Sequence, residues 1–262
     1  MVERKTRARR VALHAVVALV ACGQALCVLE LVGVPLRPPE VVLGIEGVVV
    51  LIAMLAAVMP RAGDGEPRDL GRWAAIGFGS WFVWGALYFG AAHITDSPSA
   101  RVFEDSILAR LPLVPAFTPV YLGVHTFSVV PYCALPQTRT LRRYLLGNLL
   151  IVSLSAIAWV TLPVRLDRPP FAAELPGFGA WLLRAVYTAD PITNCFPSAH
   201  CSVAVYSAIG LRFASRRLFV WGVVTATAIC VSTVLTKQHY LADVAAGAVL
   251  AALTAYAITR RS

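Results

Sequence analysis

Long runs of apolar residues recur along most of the 262-residue chain, separated by short segments in which polar and charged residues collect. A helix needs about 20 apolar residues to cross roughly 30 Å of hydrocarbon, because each residue adds about 1.5 Å. Runs of this kind stand at about 11–35, 40–60, 73–93, 116–136, 144–163, 199–214, 217–236 and 241–259. The pattern predicts an all-α, polytopic membrane bundle of about eight transmembrane helices.

Two segments between the predicted spans carry apolar residues at helical spacing but are too short or too polar to cross a bilayer. They lie near 102–111 and 178–187. Such segments are typical of short helices that lie in the plane of the membrane interface, here on the outer face. Because no internal repeat or flexible linker divides the chain, residues 1–262 are predicted to form a single integral-membrane domain.

Composition agrees with a bilayer protein and excludes an ordinary soluble domain. The chain is 58% hydrophobic and 14% charged, with a mean hydropathy of +0.71. Its net charge of +9 would suit nucleic acid, but most of the 23 Lys and Arg fall in segments on the same side as the N-terminus. This distribution predicts a multi-pass bacterial inner-membrane protein with both termini cytoplasmic, whose charge meets anionic membrane lipids and not nucleic acid.

Three polar stretches stand out from the apolar background: 165-RLDRPP-170, 194-NCFPSAHCS-202 and 236-TKQHYLADVAAG-247. The predicted topology places all three at the outer membrane face, although they are far apart in the sequence. Charge distribution assigned the loops to that face without reference to these stretches. Their convergence therefore predicts a functional site there.

In the third stretch, His239 and Asp243 are four residues apart and share one face of a helix. Asp243 can accept a hydrogen bond from one ring nitrogen of His239, which fixes the tautomer and leaves the other nitrogen as a nucleophile. A carboxylate one turn into an apolar helix is costly unless it is paired, so this contact also explains its presence.

In the second stretch, Pro197 and Ser198 precede an apolar helix, which predicts Ser198 as its N-cap. The backbone N–H groups of Ser198, Ala199 and His200 would then form an anion site, and the small Ala199 would allow a phosphate to approach. Arg165, Arg168 and Lys237 add cations on the outer face, where cations are otherwise scarce. We therefore predict a phosphate pocket that contains His200, His239 and Asp243.

The three stretches resemble the signature motifs of the type 2 phosphatidic acid phosphatase (PAP2) superfamily. That pattern is Lys-x6-Arg-Pro, then Pro-Ser-Gly-His, then Ser-Arg-x5-His-x3-Asp. The matching residues are Arg168-Pro169, Pro197-Ser198-Ala199-His200, and Ser232 with His239 and Asp243, within a region of about 160–250. Thr161 and Thr233 stand where the family has its motif Lys and Arg, so Arg165 and Lys237 are predicted to replace these cations.

The resemblance is nearest to the branch that includes inositol phosphorylceramide synthase. It implies that His239 attacks phosphorus, that Asp243 orients it, and that His200 protonates the leaving alcohol. Arg168, Lys237, Arg165 and the region of Ser198 and Ala199 would bind the phosphate, with no metal and no cofactor. The implied function is a phosphatase acting on a lipid phosphate or polyprenyl diphosphate. Alternatives are a phosphotransferase with an alcohol or ceramide acceptor, and a transporter or scaffold without turnover.

The remaining histidines, His14, His93 and His125, are interpreted as structural, because no acidic partner at helical spacing or motif surrounds them. Asp167 and Asp190 are interpreted as loop or cap residues. A zinc site built from Cys195, His200, Cys201 and His239 is disfavoured, because their spacing matches no common zinc pattern.

Overall fold

The computed structural model describes residues 13, 16–17, 20–21, 23–33, 83–95, 98–135, 138–170 and 175–260. These residues form helices joined by loops, with isolated β-bridges but no strand among them. The helices are α1 (residues 23–31), α2 (Val83–Ile94), α3 (Ser106–Arg110), α4 (Thr118–Phe127), α5 (Val130–Ala134), α6 (Thr138–Thr161), α7 (Phe178–Ala189), α8 (Ala199–Leu211), α9 (Arg216–Leu235) and α10 (Leu241–Arg260).

The predicted all-α class is confirmed for the described residues. Three helices, α6, α9 and α10, are long and apolar enough to cross a membrane by length and composition. The predicted span at 40–60, residues 73–82 of the third span and His14 lie outside the described residues. The number of about eight spans therefore remains a prediction.

The predicted span at 116–136 forms two shorter helices, α4 and α5, separated by a turn at Ser128 and Val129. Two prolines explain the short lengths, because each stands near the start of its helix, at Pro119 and Pro131, where a missing N–H is tolerated. Tyr144 of α6 donates a hydrogen bond from its hydroxyl to the Ser128 carbonyl, which satisfies the backbone at the break.

Helix α8 is the centre of the bundle. It packs against α4, α5, α6, α9 and α10. Most of its residues are buried, and the apolar residues are not confined to one stripe, which is typical of a helix surrounded by others. Two buried hydroxyls on α8 are satisfied locally: Ser202 donates to the Ser198 carbonyl, and Ser207 bonds the hydroxyl of Tyr144. The first turn of α8, which carries His200, is thereby fixed within the core.

At one end of the bundle the long loops meet and bind one another. Val164 forms isolated parallel bridges with both Arg101 and Asn194. Helices α3 and α7 lie in these loops, so both predicted interfacial segments contain a helix. Helix α3 begins only at Ser106, because the Asp105 carboxylate caps its N-terminus by accepting from the Ile107 and Leu108 N–H groups.

Candidate active site

His239 and Asp243 are in contact as predicted, although His239 precedes the helix that carries Asp243. Nδ1 of His239 lies 3.4 Å from Oδ2 of Asp243, and the same oxygen accepts a 2.9 Å hydrogen bond from the backbone N–H of Tyr240. Helix α10 begins at Leu241, so the Asp243 carboxylate lies in its first turn, where the helix dipole favours negative charge. Both side chains are buried, and Nε2 of His239 is the ring nitrogen that does not face Asp243.

The environment of His239 favours its protonated form. Burial opposes the charge, but the hydrogen bond and negative charge of Asp243 outweigh it and raise the pKa of His239. The second oxygen of Asp243, Oδ1, is buried without a hydrogen-bond partner among the described residues. Asp243 therefore depends on His239 and the Tyr240 amide to compensate for its burial.

His200 lies in the first turn of α8, and its ring centroid is 6.0 Å from that of His239. The ring stacks on Tyr121 with a centroid separation of 4.2 Å. The Tyr121 hydroxyl donates a 2.7 Å hydrogen bond to the carboxylate of Asp190, which also faces the hydroxyl of Tyr88 at 3.5 Å. Asp190 and Tyr121 thus fix the plane in which the His200 imidazole lies.

Ser198 is the N-cap of α8, as predicted, and its hydroxyl accepts a 3.2 Å hydrogen bond from the backbone N–H of Cys201. Its own N–H donates to the Asp243 carbonyl at 3.1 Å, so it is already occupied. The amides of Ala199 and His200 are the other predicted anion donors. Gly247 permits this close approach of α10 to α8, because a Cβ there would lie 2.6 Å from the Ser198 carbonyl oxygen.

Arg168 links α7 to the loop that carries His239. Its Nη1 donates to the carbonyls of Tyr187 and Asp190, and its Nη2 donates to the side-chain oxygen of Gln238. The guanidinium also lies over the Tyr187 ring, 4.8 Å from its centroid. These bonds use three of the five guanidinium donors and hold the group against Gln238, the residue that precedes His239 in the chain.

The two cations predicted to replace the motif Lys and Arg have other partners in this structure. The ammonium of Lys237 donates to the carbonyls of Leu108 and Leu111 at the end of α3, at 2.6 and 2.7 Å. Nε of Arg165 lies 3.3 Å from the carboxylate of Asp167. The structure therefore brings His200, His239, Asp243, Ser198 and Arg168 together, and directs Lys237 to the neighbouring helix.

Tyr121, His125 and Tyr88 are neighbours of the site that the sequence analysis did not assign to it. The ring centroid of His125 lies 5.9 Å from that of His200. Tyr121 and His125 are four residues apart on α4, so the sequence could have indicated that they share one face of that helix. The link from Tyr88 and Tyr121 to Asp190 had no sequence signal, because it depends on how separate helices pack.

Cys195, His239 and Asp243 also form a group that offers metal ligands. One sulfur, nitrogen or oxygen atom from each lies within 4.8 Å of the others, and all three residues are buried. The set differs from the one considered in the sequence, because Asp243 takes the place of His200 and Cys201. Three such ligands with one open position can bind a zinc ion, which makes metal dependence a question for experiment.

Comparison with known proteins agrees with the motifs. No curated protein and no solved structure gives a significant match to the chain. Residues 141–262, which run from α6 to the C-terminus, match the family model of the PAP2 superfamily. The match includes all three polar stretches and extends beyond the predicted region of about 160–250. The C-terminal part of the chain, with His200, His239 and Asp243, is therefore similar to the PAP2 superfamily.

Proposed function

We propose that this protein is a membrane lipid phosphatase that transfers the phosphoryl group of a lipid phosphate to His239 and then to water. The observation that carries the proposal is the buried His239–Asp243 pair with the His200 ring 6.0 Å away. The match of residues 141–262 to the PAP2 superfamily supports phosphatase or phosphotransferase chemistry in general. The positions of these side chains support the two steps of the proposed reaction.

In the first step, Nε2 of His239 attacks phosphorus while Nδ1 faces the Asp243 carboxylate. A bond forms between Nε2 and phosphorus, the bond between phosphorus and the alcohol oxygen breaks, and His200 donates a proton to that oxygen. Asp243 stabilises the positive charge that develops on the His239 imidazole. The products of this step are the free lipid alcohol and a phosphohistidine.

In the second step, the neutral His200 accepts a proton from a water molecule, whose oxygen attacks the phosphohistidine. The bond between Nε2 and phosphorus breaks, inorganic phosphate leaves, and His200 regains its proton for the next cycle. The stacking of His200 on Tyr121 supports this double role, because it keeps the imidazole in one position for both proton transfers.

Arg168 and the amides of Ala199 and His200 supply donors for the phosphoryl oxygens as charge develops in the transition state. The carbonyls of Tyr187 and Asp190 hold Arg168 in place, so its planar fork is oriented before the substrate arrives. Lys237 and Arg165 are proposed to contribute positive charge at longer range.

The proposed site lies at the outer face of the membrane, and its substrates are phosphatidic acid or a polyprenyl diphosphate. The reaction is proposed to need no metal, because the two histidines provide both the nucleophile and the proton. The group of Cys195, His239 and Asp243 makes this testable. If a metal were required, EDTA would abolish activity and Cys195→Ser would weaken metal binding.

A phosphotransferase of the inositol phosphorylceramide synthase kind is the second candidate. Its first step is identical, and an alcohol replaces water in the second. Product analysis by mass spectrometry on a native lipid extract separates the two. Hydrolysis gives free phosphate and a dephosphorylated lipid, whereas transfer gives a new phosphodiester lipid without phosphate release.

The test is phosphate release from phosphatidic acid or a polyprenyl diphosphate by the purified full-length protein with EDTA present. We expect turnover by the wild type, none above background by His239→Ala, and wild-type rates for the matched control His93→Ala, because His93 is exposed. If wild type and His239→Ala gave the same rate as a blank, a transporter or scaffold role without turnover would replace the proposal.

A further inference from the structure

Cys195 lies beside the nucleophile of the proposed reaction but has no role in that reaction. It is in the loop between α7 and α8, where its backbone N–H donates to the Val164 carbonyl at 3.3 Å. Its thiol donates to the Ile192 carbonyl at 3.2 Å and lies 3.9 Å from the carbonyl of Gln238. These contacts hold a buried sulfur against the loop that carries His239.

The His239–Asp243 pair has the spacing of two ligands of one metal ion. Nδ1 and Oδ2 are 3.4 Å apart, which is longer than a charge-assisted hydrogen bond of about 2.7–2.9 Å. Two atoms bound to one zinc ion at a tetrahedral angle are about 3.4 Å apart. The Cys195 sulfur, one nitrogen of His239 and one oxygen of Asp243 lie within 4.8 Å of one another. A tetrahedral site needs about 3.6 Å between sulfur and nitrogen, so a side-chain movement of about 1 Å completes it.

The carboxylate of Asp243 lacks a partner that a cation would supply. Its side chain is fully buried, and Oδ1 has no hydrogen-bond partner among the residues that the structure describes. A buried carboxylate oxygen without a donor or a cation is unfavourable. A divalent ion removes this cost, because the Asp243 carboxylate and the Cys195 thiolate together balance its two charges. The thiol releases its proton to solvent as the bond between sulfur and metal forms.

The ligand types favour zinc over the hard divalent cations. Magnesium and calcium are bound by oxygen ligands, and a thiol is a poor ligand for either. Zinc is bound by thiolate, imidazole and carboxylate groups, and three protein ligands leave its fourth position open to water.

Zinc at this position is incompatible with nucleophilic attack by His239. A neutral imidazole has one nitrogen with a lone pair and one that carries a proton. If Nε2 bound the ion, the attacking lone pair would be occupied. If Nδ1 bound it, Nε2 would carry the proton and have no lone pair for phosphorus. Either mode of binding therefore prevents formation of the phosphohistidine.

We propose that Cys195, His239 and Asp243 form an inhibitory zinc site, in which the ion withdraws His239 from the reaction. The inhibition rests on the proposed function of His239 as nucleophile, whereas the binding of the ion does not. The site makes the phosphatase sensitive to the concentration of free zinc, and Cys195 is the residue that gives the nucleophile this sensitivity.

The first test measures metal binding without reference to activity. Cobalt(II) occupies zinc sites, and a thiolate ligand gives it a charge-transfer absorption band in the near ultraviolet. We expect this band when cobalt is added to the metal-free, full-length wild type, and its loss when zinc is then added. Cys195→Ser should lack the band. The matched control Cys133→Ala, which removes another buried thiol, should retain it. No band in the wild type, or an unchanged band in Cys195→Ser, would overturn the site.

The second test measures phosphate release from phosphatidic acid at fixed concentrations of free zinc. Each rate is expressed relative to the same protein without zinc, so a change in basal rate does not affect the comparison. We expect zinc to inhibit the wild type and EDTA to restore its activity. The inhibition constant should be at least about 10-fold weaker in Cys195→Ser, since even the loss of a group that only supports a metal ligand costs about 10–100-fold in affinity. If Cys195→Ser does not fold, Cys195→Ala serves in both tests.

The outcomes separate this inference from the proposed function. Equal inhibition of the wild type and Cys195→Ser would show that zinc acts elsewhere, for example on the lipid phosphate, and would overturn the inference alone. A cobalt band without inhibition by zinc would also overturn it. Activity that appears only when zinc is added would overturn both the inhibition and the metal-free reaction. No turnover with or without zinc would overturn the proposed function and the inhibition together.

Discussion

The carboxylate of Asp105 accepts a 3.0 Å hydrogen bond from the backbone N–H of Leu241, the first residue of α10. The other oxygen of the same carboxylate caps α3. One side chain thus stabilises the start of two helices, one of which holds Asp243 against His239. Helix α3 therefore helps to support the proposed nucleophile.

Asp105→Ala should lower both stability and turnover, because two helix N-termini lose their acceptor. We expect a loss of about 1–2 kcal/mol in the free energy of unfolding, the scale of an N-cap deletion, and a lower kcat. Asp105→Asn retains an acceptor oxygen and should be milder. Thermal melts and kinetics of both variants, with the exposed Glu104→Ala as control, check this prediction. A normal melting temperature and kcat in Asp105→Ala would contradict it.

Substitution of Lys237 tests whether its side chain anchors α3 or binds phosphate directly. Its ammonium bonds to the carbonyls of Leu108 and Leu111, so we expect Lys237→Met to lower the melting temperature by several degrees. Turnover should fall by less than about 10-fold, whereas loss of a transition-state charge contact would reduce it at least about 10²-fold. A loss of that size with an unchanged melting temperature would show that Lys237 contacts phosphate during the reaction.

The pH dependence of turnover should report the His239–Asp243 contact. Because the pKa of His239 is raised, its neutral, nucleophilic form becomes the major form only at a pH above the ordinary histidine value of about 6.5. The acid limb of kcat/KM should therefore lie above pH 6.5 and move to lower pH in the residual activity of Asp243→Asn. The contribution of the His239–Asp243 pair to folding stability should decrease as pH rises, whereas turnover should increase. The charged pair contributes fully below about pH 6.5 and is lost as pH rises through the folded pKa.

An acid limb below pH 6.5 that does not move in Asp243→Asn would contradict this assignment. The titration of His239 in the folded protein, followed by nuclear magnetic resonance, gives an independent check. It separates the pKa of His239 from that of His200, which acts as proton donor and acceptor in the proposed reaction.

Membrane topology is predicted from the charge distribution. A reporter fused after residue 261 should read cytoplasmic, and one inserted near Ala172 should read external. A cytoplasmic signal near Ala172 would place the proposed site at the inner face and remove the topological argument for the convergence of the three polar stretches.

The sequence predicted those features of the site that depend on local spacing. The His239–Asp243 contact follows from a separation of four residues, and the Ser198 cap follows from its place before an apolar helix. The all-helical class follows from the length of the apolar runs. In each case the relevant interaction is made within a few residues of the chain, where sequence pattern and geometry are closely linked.

Features that depend on packing between distant segments could not be predicted in this way. The partners of Lys237 are the carbonyls of Leu108 and Leu111 at the end of α3, more than 120 residues away in the sequence. Every residue has a backbone carbonyl, so the sequence does not indicate which carbonyls a lysine will bind. The break between α4 and α5 depends on a hydroxyl of α6 that satisfies the freed backbone. The position of His125 beside His200 likewise arises only when α4 packs on α8.

The central claim is that His239 carries the phosphoryl group, and the most direct measurement is to trap that intermediate. The full-length protein and its His200→Ala variant, in which dephosphorylation should be slow, are mixed with a lipid phosphate, quenched in alkali and analysed by peptide mass spectrometry. We predict a phosphoryl group on His239, more abundant in His200→Ala and absent from His239→Ala. Turnover by the wild type with no phosphorylated peptide in either protein, or with the phosphoryl group on another residue, would contradict the account.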